Sequence, residues 1–505
     1  MKSVQGKKHV MKVIVMCMSL ALSGQAFAQL QSPKYELRAA WIATVANIDF
    51  PSRKDLSAEL QQAEFQAMLD SLKALGMNAV IVQVRPAADA FYPSQKEPWS
   101  EWLTGVQGKP PEPYYDPLAF MIEAAHKRNM EFHAWLNPYR AVFDTDSSSI
   151  APEHITQRKP EWFFQYGKKK YFNPGVPEVR NYIVEVIADL VQRYDLDAVH
   201  FDDYFYPYHI PNVPFEADTA TFRIYANGFT SINDWRRHNV DILIEAVHKT
   251  LRMLKPKVKF GISPFAVWRN RKDDKRGSET QAGQPTYDYL YADVRKWLQK
   301  GWIDYVAPQL YFAIGFKKVP YDVVLAWWGR NTFGKHLYIG QGVYRIGRDS
   351  LWKNPSELPN QLRLNRQNQI VKGSIYFSTS ALLKNPLGVA DSLKQDFYRL
   401  PAFVPPMRWK DAVPPNPPKN LRAIKSDSST VLLWQVPQPA RDGERATYFA
   451  IYHFGEKEKV NLILLAPYNN IQYAQFVSEK TNAKAIVLPT NLSNQINTYE
   501  KLIET

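Results

Sequence analysis

With 505 residues, 45% of them hydrophobic and 13% aromatic, the chain has the makings of one large folded domain and a smaller one, and disorder is excluded. The formal charge of +14 points to anionic envelope polymers or membrane surfaces rather than nucleic acid, although a solvated basic surface would account for it equally well. The only cysteine, Cys17, lies in the N-terminal apolar run, so no disulfide and no cysteine metal site is expected of the mature chain.

Residues 1–28 read as a signal peptide. Lys2, Lys7, Lys8 and Lys12 precede an apolar stretch from Val13 to Leu22, and Ala26-Phe27-Ala28 is a small-residue cleavage site. The mature protein is expected to start near Gln29, to carry a charge of +10, and to reach the periplasm or cell envelope. No later apolar run has membrane-spanning length.

From about Tyr35 to Leu400, short apolar runs alternate with amphipathic helical stretches. The first strand is Leu37 to Ala43, followed by a helix through Glu59 to Leu75. The second is Ala79 to Arg85, ended by Pro86, with a loop rich in Pro, Trp and Tyr and a helix from Pro117 to Arg128 behind it. The third is Glu131 to Leu136, running into Asn137-Pro138-Tyr139-Arg140, with a long segment before the helix Val179 to Arg193. The fourth is Asp197 to Tyr204. The helix Ile232 to Leu254 leads to a fifth strand, Lys259 to Phe265, and a helix around Tyr287 to Leu298 to a sixth, Ile303 to Phe312. A helix around Tyr321 to Trp328 precedes the seventh, Leu337 to Tyr344. Glu357 to Gln369 precedes the eighth, Ser374 to Thr379, and a last helix covers Ala390 to Tyr398.

Eight strand-then-helix units predict a (β/α)8 TIM barrel over residues 35–400; an open doubly wound sheet would carry a Gly-rich phosphate loop after its first strand, and none is present. The proline-rich stretch within 401–418 predicts a semi-rigid linker. Beyond it, Asn420 to Ala423, Thr430 to Trp434 and Tyr448 to Tyr452 are short runs with turn signals between them, so 419–505 is expected to be a small β-sandwich resembling a fibronectin type III module.

In such a barrel the chemistry lies at the C-terminal ends of the strands. The polar residues there are Gln83 and Arg85 after the second, Asn137, Tyr139 and Arg140 after the third, Asp202, Asp203 and Tyr204 after the fourth, Ser263 after the fifth, Gln309 and Tyr311 after the sixth, and Gln341 and Tyr344 after the seventh. The adjacent acids Asp202 and Asp203 stand out, because Pro207, Pro211 and Pro214 turn the chain out of the sheet just beyond them. Three chemistries are open. The pair can act alone on a sugar whose own acetamide is the nucleophile, with one Asp as general acid and the other orienting the acetamide; two close carboxylates also raise one pKa. A loop acid, Asp89, Glu97 or the weaker Glu216, can supply the second carboxylate. Metal-dependent hydrolysis through His133, His200 and the Asp pair is the least supported, since no His-x-His cluster is present.

Leu37-Arg38-Ala39-Ala40-Trp41, Gln83-Val84-Arg85-Pro86 with Asp89 and Tyr92-Pro93-Ser94, Glu97-Pro98-Trp99, His133 to Arg140 and His200 to Pro207 together resemble the glycosyl hydrolase-like 10 family over roughly residues 35 to 400. That family includes a divisome glycosidase that hydrolyses denuded peptidoglycan strands. The resemblance implies a barrel and an exported hydrolase of peptide-free cell-wall glycan, a substrate whose acetamido sugars suit the substrate-assisted reading. The Asp-Asp pair is also similar to that of O-GlcNAc hydrolases, which implies Asp203 as general acid and Asp202 as acetamide partner.

The expected function is therefore a cell-wall glycosidase that uses no cofactor and no metal. Arg85, Asp89, Asn137, Tyr139, Tyr204, Gln309 and Tyr311 are expected to bind substrate, and Trp99, Trp135 and Trp268 to stack on sugars. The C-terminal module is expected to recruit an envelope protein partner. The competing readings are a glycan-binding scaffold without catalysis and a glycosidase of another polysaccharide.

Overall fold

Runs of apolar residues buried on both faces are the signature of parallel strands covered by helices, and eight of them make the core here. In the computed structural model, residues 32–425, 430–435 and 437–446 are described, as are the strands within 448–454, 460–467, 473–476 and 485–490. The signal peptide expected at 1–28 lies outside the described residues.

The first strands are β1 (Leu37–Ile42), β2 (Ala79–Arg85) and β3 (Glu131–Leu136), every residue of them buried. A small antiparallel sheet follows, with β4 (Arg140–Val142), β5 (Phe163–Tyr166) and β6 (Lys169–Phe172) in the order β4-β6-β5. The barrel resumes with β7 (Ala198–Phe201), β8 (Lys259–Ile262), β9 (Tyr305–Val306), β10 (His336–Gly342) and β11 (Val371–Phe377). These eight close in the order β1-β11-β10-β9-β8-β7-β3-β2, with parallel ladders throughout.

Local signals set the helices between them. Ser57 accepts a hydrogen bond from the Leu60 N–H at the start of Ala58–Ala74, and that helix buries Phe65, Met68, Leu69 and Leu72 against the barrel. Asp116 caps Pro117–His126, where Pro117 occupies a position with no backbone donor to lose. Ser231 caps the long helix Ile232–Leu254, whose apolar face buries Val240, Leu243, Ile244, Val247 and Leu251.

Several strands differ from their expected spans, β7, β8, β9 and β11 the most; β8 stops at Ile262 rather than Phe265. β7 ends at Phe201, so both aspartates lie just past it, while Asp197 leaves the strand to accept from the Phe132 N–H at 2.8 Å and to pair with His126 at 2.8 Å. β9 is only Tyr305–Val306, because Pro308 has no N–H to continue a ladder; the chain touches the sheet again at Gln309 through single bridges. β11 runs from Val371 to Phe377 rather than from Ser374.

The barrel interior is packed solid. Gly261 on β8 leaves room for the ring of Tyr305, with which any Cβ would collide, and Tyr305 then sits with Leu37, Ala39, Trp41, Tyr338 and Met407 in one buried cluster. Met407 comes from the stretch expected to be a linker. Residues on either side of it also hold the barrel: Phe403 bridges to Tyr35, Trp409 donates to Asp304 at 2.8 Å, and Asp411 pairs with Lys257 at 3.0 Å. The C-terminal strands form two three-stranded antiparallel sheets. One contains β12 (Lys419–Lys425), β13 (Thr430–Gln435) and β16 (Tyr473–Phe476); the other contains β14 (Tyr448–Phe454), β15 (Val460–Pro467) and β17 (Ala485–Thr490). No helix among the described residues is long and apolar enough to cross a membrane.

Candidate active site

A cavity of about 350 Å³ opens at the C-terminal ends of the barrel strands. Its lining includes Trp41 from β1, Gln83 from β2, Trp135 from β3, Asp202 and Asp203 from the end of β7, Ser263 from the end of β8, and Phe377 from β11. Arg140 from β4 and residues of the connecting segments, Phe143, Tyr204, Tyr208, Gln309, Tyr311 and Tyr344, complete it. Part of the wall is aromatic: Tyr311 stacks on Phe377 with ring centroids 6.0 Å apart, and Tyr344 meets Tyr311 edge-on at 5.7 Å.

The two aspartates are neighbours in sequence and receive different partners. Asp202 Oδ2 accepts from Trp135 Nε1 at 3.1 Å and Asn137 Nδ2 at 2.9 Å, and Oδ1 accepts from the Tyr204 N–H at 3.2 Å. Burial raises the Asp202 pKa, but the Arg140 guanidinium and these three donors oppose the rise and favour the anion. Asp203 takes the Tyr208 hydroxyl, its own backbone N–H and, more weakly, Gln309. Burial, and then the charge of Asp202, push the Asp203 pKa up to about 7. Burial raises both carboxyls, but the surroundings differ: Asp202 is offset by Arg140 and its three donors, while Asp203 also feels the charge of Asp202, the kind of asymmetry that separates acid and base roles.

Of the expected site residues, Asp202, Asp203, Tyr204, Gln309, Tyr311 and Trp135 line the cavity, and Asn137 reaches it through its hydrogen bond to Asp202. The others are buried beneath the mouth or lie beside it. Arg85 makes a two-pronged ion pair with Glu97 at 2.6 and 2.7 Å and donates to the carbonyl of Asn137 at 2.6 Å, so both charges are committed to holding a loop. Asp89 is fully buried and accepts from the Ala87 N–H at 3.0 Å and Gln107 Nε2 at 3.2 Å. Tyr139 is buried, Trp99 packs edge-on against Tyr114, and Trp268 is buried with its ring stacked on Trp327. Glu216 is exposed on the loop after β7 and does not line the cavity. Arg85, Asp89, Tyr139, Trp99 and Trp268 therefore do not occupy the substrate-facing positions expected of them; strand-end polarity looks the same whether a group faces the cavity or pins a loop.

The imidazoles of His133 and His200 direct their hydrogen bonds to barrel-core partners, Glu131, Tyr305 and Ser263, rather than to either aspartate. The sequence reading passed over Tyr208, Trp41, Phe143 and Phe377. Tyr208 follows Pro207 in a stretch with no periodicity, and an aromatic residue within a strand reads as core. Gln83 carries a signal of its own: its Oε1 accepts from the N–H groups of Thr44 and Val45 at 3.2 and 3.0 Å, which fixes the amide orientation, and its buried Nε2 has no acceptor among the described residues.

Residues 36–355 match the model of the glycosyl hydrolase-like 10 family. "Glycosyl hydrolase YngK" of Bacillus subtilis (strain 168) is 49% identical over 452 residues, 88% of each chain. "Glycosyl hydrolase DigH" of Escherichia coli is 38% identical over 382 residues, covering 71% of this chain and 86% of that one. Among solved structures, the glycoside hydrolase domain of PgaB (BpsB) from Bordetella bronchiseptica aligns with a TM-score of 0.44 at 13% identity, over 72% of this chain and 99% of that domain. On the family match and the two curated relatives, the chain belongs to the glycosyl hydrolase-like 10 family.

Proposed function

We propose that this protein is an exported glycoside hydrolase that cleaves glycan strands containing N-acetylated hexosamine, with peptide-free peptidoglycan as its substrate. The observation that carries this reading is the Asp202-Asp203 pair at the mouth of the barrel, with donors gathered on the first acid and burial raising the pKa of the second. Asp203 donates its proton to the glycosidic oxygen as the bond to the anomeric carbon breaks. The carbonyl oxygen of the sugar's own acetamide forms the new bond to that carbon, closing an oxazolinium ring. The Oδ1 atom of Asp202, which accepts the Tyr204 N–H at 3.2 Å, takes the acetamide N–H and stabilises the positive charge that develops. Asp203, now a carboxylate, removes a proton from water as the water opens the ring. Two displacements at one carbon return the starting anomeric configuration.

The aromatic cluster of Tyr311, Tyr344 and Phe377 supports a sugar-binding role, because ring faces suit the apolar faces of sugars. The leader at 1–28 supports export to the periplasm or cell envelope. We assign the C-terminal sheets a docking role toward an envelope protein, in the manner of fibronectin type III modules.

The test is to incubate residues 29–505 with peptide-free glycan strands and with intact sacculi, and to follow soluble products by mass spectrometry. Release from bare strands is the expected result. Co-sedimentation with glycan and no release from either would overturn the enzyme reading in favour of a binding scaffold, and release only from polymers without acetamido groups would overturn the substrate.

A further inference from the structure

A continuous hydrogen-bonded chain runs through the barrel core to the cavity, and its two ends fix the direction of every hydrogen in it. At the inner end, the buried carboxylate of Glu131 meets Lys259 and, at 2.9 Å, His133 Nε2. A carboxylate only accepts, so His133 Nε2 carries hydrogen. At the outer end, the Trp41 indole N–H, which only donates, lies 3.3 Å from His200 Nε2. That nitrogen is therefore bare, and the hydrogen of His200 sits on Nδ1, 2.9 Å from the Tyr305 oxygen. Tyr305 has one hydrogen, and the remaining acceptor is His133 Nδ1 at 3.0 Å. Reasoning from either end gives the same arrangement. Burial holds the His200 pKa well below the usual imidazole range, in keeping with a neutral ring.

The consequence falls on Ser263, whose Oγ is 2.9 Å from the bare His200 Nε2 and donates to it, sharing that lone pair with the more distant Trp41 N–H. The other acceptor within reach, the Phe201 carbonyl at 3.4 Å, also belongs to the barrel wall. The backbone of Ser263 is occupied as well: its N–H donates to the Phe201 carbonyl at 2.8 Å and its carbonyl accepts from Gln309 Nε2 at 2.9 Å. Ser263 lines the cavity with its hydroxyl hydrogen already used.

We propose that Ser263 is a specificity-determining acceptor for a hydroxyl hydrogen of the bound sugar, with the relay Glu131-His133-Tyr305-His200 preventing it from acting as a donor. This rests on the glycosidase reading for the identity of the ligand, a sugar whose acetamide N–H is already taken by Asp202. A group that can only accept disfavours a sugar lacking the matching hydroxyl, since the buried Ser263 oxygen would then face the ligand with no hydrogen to accept.

Three measurements on the mature chain test it. Calorimetric titration with a soluble N-acetylglucosamine oligosaccharide should show binding weakened about tenfold by Ser263→Ala, as expected for a single hydrogen bond. Among analogues each lacking one hydroxyl, one should cost the wild type the same factor and cost Ser263→Ala nothing further. Nitrogen NMR of histidine-labelled protein, with the His200 signal assigned by its loss in His200→Gln, should show hydrogen on Nδ1 and none on Nε2. Equal binding by Ser263→Ala, additive losses for every analogue, failure of the wild type to bind, or hydrogen on Nε2 would each overturn the inference. Coupled binding without cleavage would leave it standing and remove the glycosidase reading; cleavage that is indifferent to residue 263 would do the reverse.

Discussion

Tyr208 donates its phenolic hydrogen to Asp203, five positions back along the chain, and so gives the acid its principal donor. Asp202, one residue earlier, takes two donors from β3 and the turn after it and a third from the Tyr204 N–H two residues on. The chain bend after β7 thus places two identical side chains in unlike surroundings.

Asp203→Asn should lower turnover by about 10²–10⁴-fold, the usual contribution of a positioned acid, while leaving glycan binding and circular dichroism unchanged. Steady-state rates on glycan strands together with a binding titration would separate the two effects. Activity near the wild-type level would remove Asp203 from the mechanism.

The acid must hold its proton, so the alkaline limb of the rate profile should fall near the pKa of about 7 set by burial and by the charge of Asp202. Asp202→Asn removes that negative neighbour and should move the limb to lower pH, along with a loss of rate. Tyr208→Phe removes a donor that favours the carboxylate, so its limb should move to higher pH. Profiles of kcat/KM for the three proteins check both signs, and shifts in the same direction would contradict the assignment.

Stability should respond in a linked way. The folded pKa of Asp203 lies above the ordinary carboxylate value, so the unfolded chain gives up this proton first as pH rises. What Asp203 contributes to stability is fully present below about pH 4 and is lost as pH climbs through about 7. Asp203→Asn cannot ionise, so its Tm should gain on that of the wild type between pH 5 and 8. A constant difference across that window, measured by calorimetry, would mean that the raised pKa is not a property of the fold.

The buried Arg85-Glu97 pair holds its loop, and Glu97→Ala would strand the guanidinium in the interior. A cost of about 3–5 kcal/mol is expected for such a break, measured by denaturant unfolding. The folded fraction should retain the wild-type alkaline limb, because Glu97 donates no proton to substrate. If Glu97→Gln instead abolished that limb without loss of stability, the loop acid would be catalytic after all.

Much of the fold was open to reading because parallel strands and their helices carry different periods, and eight alternations are hard to mistake. The Asp pair was legible because two carboxylates at the end of an apolar run would be costly anywhere but at a mouth. Arg85 misled for the same reason, since it ends a strand too and only three-dimensional packing shows its charge paired with Glu97; Asp89, in the loop beyond, turns its carboxylate to the Ala87 N–H and Gln107, and Tyr139 is buried. Tyr208 and Trp41 were hidden by context, one in a stretch broken by proline and the other in a strand where bulk is ordinary. The sheet of β4, β5 and β6 was read as a connecting segment, since its strands are only three or four residues long and leave little period to detect.

Gly261 has one more consequence. By yielding its space to the Tyr305 ring, with Met407 packed in the same cluster, it blocks the barrel partway down. The cavity is a bowl and not a pipe. On the proposed reading, a glycan strand cannot be drawn through the barrel lengthwise and would lie across its rim.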